Sequence, residues 1–225
     1  MTLTVYEDLE QGTDEWLALR CGTVTASVIG KLITPKTIKV AHNETSRAAA
    51  EALATERIEG KPEEVWVSSD MDRGTRDEPF ARDLYSRHHA PVHEVGFMSR
   101  DDWGFQIGYS PDGLVGDDGL IEIKSRKPKI QLRTILRDEV PLENMAQLQT
   151  GLLVSGRDWI DYVSYAGGWP LYVKRVFPDP RWQAAIVEAV REFEATATAI
   201  ERQYRANAEG LPVAEYISFD EEEIY

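Results

Sequence analysis

Gly108-Tyr109-Ser110-Pro111-Asp112-Gly113-Leu114-Val115-Gly116-Asp117-Asp118-Gly119-Leu120-Ile121-Glu122-Ile123-Lys124 reads as two short β-type runs around a turn. Ser110 to Gly113 predicts a strand start or bulge, and Gly116-Asp117-Asp118-Gly119 is a hairpin signal. Leu120 to Lys124 alternates apolar and charged residues with period two. That alternation puts Glu122 and Lys124 on one face and is expected to send Leu120, Ile121 and Ile123 into the interior. If the turn folds the second run back beside the first, Asp112 lies across from Glu122. Two carboxylates brought close repel, so one takes up a proton unless a cation sits between them. A hard divalent ion with oxygen ligands, Mg²⁺ or Mn²⁺, resolves the conflict and leaves Lys124 to orient or deprotonate a water and to stabilise charge on a phosphate. Phosphodiester hydrolysis draws on that combination of groups.

The whole chain permits this chemistry and narrows its setting. A length of 225 residues suits one domain with a single core, and 42% hydrophobic with 28% charged residues is the composition of an ordinary globular protein. No stretch approaches the ~18 apolar residues of a membrane span. Met1 to Asp8 carries neither a basic lead nor an apolar run, which predicts no secretory signal. One cysteine, Cys21, excludes an internal disulfide and a four-cysteine cluster. A cytoplasmic setting is the expectation that follows.

The net charge of -14 runs against a nucleic-acid partner, whose proteins usually show a basic footprint. Its distribution runs the other way. Lys124, Arg126, Lys127, Lys129, Arg133 and Arg137 fall within an acid-free run directly after the acidic pair, read either as a positive lane beside the site or as a solvated loop.

Working outward, Gly12 to Arg20 predicts a short helix capped by Thr13 or Asp14, with Trp16 and Arg20 four apart on one face. An aromatic at that spacing can aim a guanidinium at a phosphate; equally, a surface arginine can cover a buried tryptophan. Thr25 or Ser27 can cap the helix predicted from Val28 to Ile33. Thr34 to Asn43 reads as an exposed basic loop, and Glu44 to Glu59 as an amphipathic helix stopped by Gly60. Residues 72 to 89 predict a helix with Phe80, Leu84 and Tyr85 as its apolar stripe and Glu78 near its start, where acids usually partner the helix dipole. His88, His89 and His93 are poorly spaced for one zinc ion and read as closing that helix. Val92–Met98 and Trp103–Tyr109 predict strands which, with the Leu120 strand, make three consecutive antiparallel members. A helix from Leu142 to Ser155 carries Gln147 and Gln149, which point apart by about 200°. Strands are predicted at Trp159–Tyr165 and Leu171–Phe177, then a long helix from Pro180 to Ala208 covering the sheet, and an acidic tail over about 209–225.

Pro111-Asp112 followed at a distance by Glu122-Ile123-Lys124 resembles the PD-(D/E)XK nuclease signature. Gly12-Thr13-Asp14-Glu15-Trp16-Leu17-Ala18-Leu19-Arg20, Thr25-Ala26-Ser27, Gly74-Thr75-Arg76-Asp77-Glu78 and Met145-Ala146-Gln147-Leu148-Gln149 narrow it to the YqaJ-type, phage lambda exonuclease-like recombination nucleases. The five blocks keep the family's order and span roughly residues 10 to 155.

The resemblance implies a restriction-endonuclease-like αβββαβ core in a single α/β domain, residues 1–225. It implies a Mg²⁺-dependent exonuclease, with Mn²⁺ as substitute and two ions per site. Such an enzyme digests one strand of linear double-stranded DNA in the 5′-3′ direction and leaves 3′ overhangs for recombination. It assigns Asp112, Glu122, the Ile123 carbonyl and Glu78 to metal, Lys124 to the attacking water, and Gln147 or Gln149, with Gln147 preferred, to the catalytic surroundings. Arg20, Ser27 and Ser110, with Trp16, Thr25 and Gln149 nearby, become contacts for DNA and its 5′-phosphate. A ring-shaped homotrimer and a single-strand annealing protein as partner come from the resemblance alone. Two other readings compete: a different nuclease of the same superfamily, an endonuclease or RecB-like repair module, and a non-catalytic DNA-end-binding protein.

Overall fold

In the computed structural model, which describes residues 2–63 and 68–215, the elements run β1 (Leu3–Tyr6), α1 (Asp14–Arg20), β2 (Val24–Thr25), α2 (Ala26–Leu32), β3 (Ile33–Thr34), β4 (Lys39–Val40), α3 (Glu44–Glu59), α4 (Ser69–His88) and β5 (Phe97–Arg100). They continue with β6 (Ile107–Tyr109), β7 (Gly113–Val115), β8 (Gly119–Ser125), α5 (Pro128–Arg137), α6 (Leu142–Ser155), β9 (Trp159–Tyr165), β10 (Tyr172–Val176) and α7 (Pro180–Ala208). From α4 to β9 the order is one helix, four strands, two helices and a strand, one strand and one helix more than the expected helix, three strands, helix and strand. The acidic end of the tail lies outside the described residues.

The strands fall into two four-stranded sheets, ordered β1-β5-β6-β2 and β10-β9-β8-β7, and a small β3-β4 hairpin. Three consecutive antiparallel members were expected in one sheet; instead the sheet parts between β6 and β7. The break falls at Ser110-Pro111-Asp112, where proline offers no N–H to a ladder. The two predicted strands before it start later than expected: β5 begins at Phe97, and with residues 101–106 between the strands β6 begins only at Ile107. The basic loop expected at 34–43 contains the hairpin, with Ile33 opposite Val40 and Ala41 buried.

β8 is the spine of the second sheet. It pairs antiparallel with β7 and parallel with β9, the latter reached through α5 and α6. Both faces of β8 are covered, so its leucine and isoleucines part company. Leu120 shares the Glu122 face and joins the main core with Leu148, Leu152, Ile160 and Tyr162, whereas Ile121 and Ile123 pack on the other side with Ala81, Tyr85 and Val163. The expectation that all three enter one interior is corrected accordingly. α4 thus lies against one face of β8-β9 and α6 against the other, and burying each large apolar side chain contributes about 1.5–3 kcal/mol.

Three helices depart from expectation. α4 starts at Ser69, capped by the Ser68 hydroxyl accepting from the Met71 N–H, so Glu78 and Pro79 sit inside it and Glu78 is no dipole partner. Phe80 is exposed, and Ala81 and Tyr85 do the packing. The acid-free basic run folds partly into α5, anchored by buried Gln131, whose amide donates to the Ser164 and Pro170 carbonyls. α7 packs mainly on α3, α6 and α2 rather than covering the sheet.

Candidate active site

The hairpin places Gly113 opposite Ile121, so Asp112 falls beside Glu122 at the open edge of β8. Asp112 Oδ2 accepts from the Ile123 N–H at 2.5 Å. N–H and C=O of a strand residue leave the same edge, so the Ile123 carbonyl is turned to the Asp112 side as well. Glu122 is 1% exposed; its Oε1 accepts from Lys124 Nζ at 2.7 Å and its Oε2 from the Tyr109 hydroxyl at 3.2 Å. Asp112, Glu122 and Lys124 therefore converge, as the alternation and the turn required.

The electrostatics of this group are tense. Burial, then Glu122 and Glu78, push the Asp112 carboxyl well above the usual carboxylate range, and Lys124 and the Ile123 N–H offset this only in part. Burial alone would lower the Lys124 amine, but Glu122 and Asp112 outweigh it and raise it, so the ammonium form persists. Burial also raises Glu78, against the pull of Arg82. Two crowded hard-oxygen carboxylates, one favouring its proton, are the donor chemistry a divalent cation relieves, and in that respect the residues fit such an ion. Among the described residues no three carboxylate, imidazole or thiol groups close around one point. The reason is visible: Glu78 is near enough to act on Asp112 electrostatically, but its carboxylate is held by Arg82, one turn on along α4.

A second cluster adjoins the first through Ser110. Arg20 Nη1 donates to Ser110 Oγ at 2.8 Å, the Trp16 indole N–H donates to the same oxygen at 3.1 Å, and the Arg20 guanidinium lies 4.0 Å from the centre of a Trp16 ring. The indole carries the guanidinium and directs it at Ser110, and both side chains are half-buried rather than a surface arginine over a buried tryptophan. Burial pulls the Arg20 pKa down to about 10, against the pull of Glu56, so the charge remains at neutral pH. Trp16, Arg20, Thr25 and Ser27 line one pocket of about 500 Å³. α2 begins at Ala26 with Thr25 as N-cap by position, yet the Thr25 hydroxyl bonds the Ser27 hydroxyl at 3.0 Å instead of a backbone N–H. Neither side chain caps the helix.

The two glutamines separate cleanly. Gln149 is fully buried; its amide donates to the Phe177 carbonyl and its oxygen accepts from the Asp179 N–H, so it joins α6 to the β10-α7 connection and cannot reach DNA. Gln147 is half-buried in α6, and its side chain makes no hydrogen bond among the described residues. The basic lane is shorter than expected: Lys124 serves Glu122, Arg126 binds Asn144 and Tyr162, and Lys127 pairs with Asp70. Lys129, Arg133 and Arg137 remain exposed along one face of α5.

Two contributors escaped the sequence reading. Tyr109 stands inside the quoted stretch, but its hydroxyl reaches Glu122 only because β6 and β8 converge. Arg82 follows Glu78 by four on a helix, a spacing that could have signalled the pair. Its Nε also donates to the Asp112 carbonyl at 2.9 Å.

The YqaJ-like viral recombinase domain matches residues 15–158, close to the span marked by the five sequence blocks. Over 89% of this chain and 100% of its own, the alkaline exonuclease LHK-Exo from Laribacter hongkongensis is 33% identical, with a TM-score of 0.78. A structure of LHK-Exo in complex with dAMP matches at 34% identity and a TM-score of 0.78, covering 88% of this chain and 99% of that one. A phage-related exonuclease from Haemophilus somnus 129PT shares the fold at a TM-score of 0.58 and 13% identity, over 80% and 96% of the two chains. No curated protein matches. The mixed α/β architecture is thus a PD-(D/E)XK-like fold.

Proposed function

The chain belongs to the YqaJ-like viral recombinase domain family, and from that premise we propose that it is a metal-dependent DNA exonuclease that degrades one strand of a linear duplex from its 5′ end. The observation that carries the reading is the convergence of Asp112, Glu122 and Lys124 beside a pocket holding Arg20. Asp112 and Glu122, with the Ile123 carbonyl and Glu78, would hold Mg²⁺, or Mn²⁺ in its place, as one ion or two. The ion would supply Lewis-acid stabilisation of the phosphate and a more acidic water.

The chain's own residues do the rest. Lys124, kept protonated by its carboxylate neighbours, presents a positive charge to the scissile phosphate and orients water. Arg20, steadied on Trp16 and bonded to Ser110, shares a largely apolar pocket with Thr25 and Ser27 and offers a terminal phosphate a planar fork of donors. Tyr109 holds the far oxygen of Glu122, and Gln147 is the free amide of its block. The resemblance extends the reading to a ring of three chains, a single-strand annealing partner and a host-cytoplasm setting.

Linear duplex labelled separately at each 5′ and 3′ terminus, incubated with and without Mg²⁺, tests this. Mg²⁺-dependent release of the 5′ label first, abolished in Asp112→Ala and Lys124→Ala with end binding retained, is expected. Release from the 3′ end first overturns the polarity, and equal binding of ends with no metal-stimulated release makes the chain an end-binding protein.

A further inference from the structure

Arg82 is only 15% exposed, yet its guanidinium serves three groups on three parts of the chain. Nε donates to the Asp112 carbonyl at 2.9 Å, Nη2 meets the Glu78 carboxylate within α4, and Nη1 pairs at 2.7 Å with Glu94 in the segment before β5. That segment is fixed to the catalytic hairpin, because His93 and Leu114 exchange backbone hydrogen bonds at 2.9 and 2.7 Å. One cation thus lies between an inner carboxylate, Glu78 at 31% exposure, and an outer one, Glu94 at 69%.

Glu78 gives one oxygen to Arg82, and turning fully towards the Asp112–Glu122 pair gives up that ion pair. If it turned inward with nothing to replace it, a mostly buried guanidinium would lose its counter-ion, which is strongly unfavourable. Glu94 already stands at salt-bridge distance and removes that obstacle.

We propose that Arg82 and Glu94 form a positioning relay for Glu78. Arg82 holds Glu78 aside from the Asp112–Glu122 pair. When Glu78 turns inward to complete the divalent-ion site, Glu94 keeps Arg82 neutralised and in place on the Asp112 carbonyl. The relay rests on the reading of Asp112 and Glu122 as metal ligands.

Manganese affinity, followed by the loss of the free-Mn²⁺ electron paramagnetic resonance signal on the full chain without DNA, tests it. Glu94→Gln, a change at an exposed position, is expected to weaken Mn²⁺ binding about tenfold, the scale typical of partners that orient metal ligands. Glu94→Asp restores most of the affinity. In a Glu78→Gln background, Glu94→Gln costs nothing further, since there is no carboxylate left to release. Unchanged affinity in Glu94→Gln, or an equal loss in both backgrounds, overturns the relay alone. Absence of Mn²⁺ binding by the unaltered chain overturns the metal-site reading, and the relay with it.

Discussion

At the scale of single residues, Asp112 carries the largest conflict between folding and function. Its carboxyl is raised by burial and by neighbouring acids, so ionisation is less favourable in the folded chain than in the unfolded one. A group raised in this way contributes stability fully below its unfolded pKa and loses it as pH rises through the folded value. Asp112→Asn removes that charge and keeps an acceptor for the Ile123 N–H. With a chelator at pH 8, its melting temperature is expected to exceed that of the unaltered chain by several degrees, at about 2–4 °C per kcal/mol for a chain of this size. The gain should vanish towards pH 4, and cleavage should be lost throughout. A lower melting temperature at pH 8 would make the carboxylate a structural group. Arg20 gives the complementary case: Arg20→Lys keeps the charge but loses the fork. Preference for 5′-phosphorylated over 5′-hydroxyl ends should drop by about 10- to 100-fold, the worth of one charge-assisted hydrogen bond, as read from kcat/KM on the two substrates. These residues were legible because spacing within one strand or one helix turn fixes which side chains share a face. Arg82 was not, since its reach to Asp112 and Glu94 depends on how α4 docks.

At the scale of elements, α6 passes so close to β6 that only glycine fits. A methyl group at Gly151 would stand 2.7 Å from the Tyr109 ring and 3.1 Å from its hydroxyl, which holds Glu122. Gly151→Ala is expected to destabilise by about 1–3 kcal/mol through overpacking. It should also lower kcat by displacing Tyr109, and denaturant unfolding beside steady-state rates checks both. The sequence announced α3, α6, β9 and α7 through their caps and periodicity. It hid α5, whose basic surface and Pro128 start resemble a loop until buried Gln131 and Thr134 are seen to anchor it. It also hid the parting of the sheet, because a strand's hydrogen-bond partners are not written in its own residues. Helices fixed by local signals were readable, whereas the pairing of β1 with β5 across ninety-odd residues was not.

At the scale of the whole molecule, a net charge of -14 repels a polyanion except where cations are grouped. Lys129, Arg133 and Arg137 on the outer face of α5 form such a group, once the other members of the basic run are bound internally. Replacing Arg133 and Arg137 by Gln is expected to weaken binding of duplex ends in Ca²⁺. It should also lower the slope of log affinity against log salt by about 2, at roughly 0.9 for each phosphate no longer neutralised. Fluorescence anisotropy over a salt series reads this, and an unchanged slope would assign α5 to something other than DNA. Ser110, which holds Arg20, and Asp112 of the acidic pair are separated only by Pro111, so at most about 7 Å of backbone divides the two clusters. Under the proposed activity, so short a link ties the grip on a terminal phosphate to the cutting site, and a change that shifts one shifts the other.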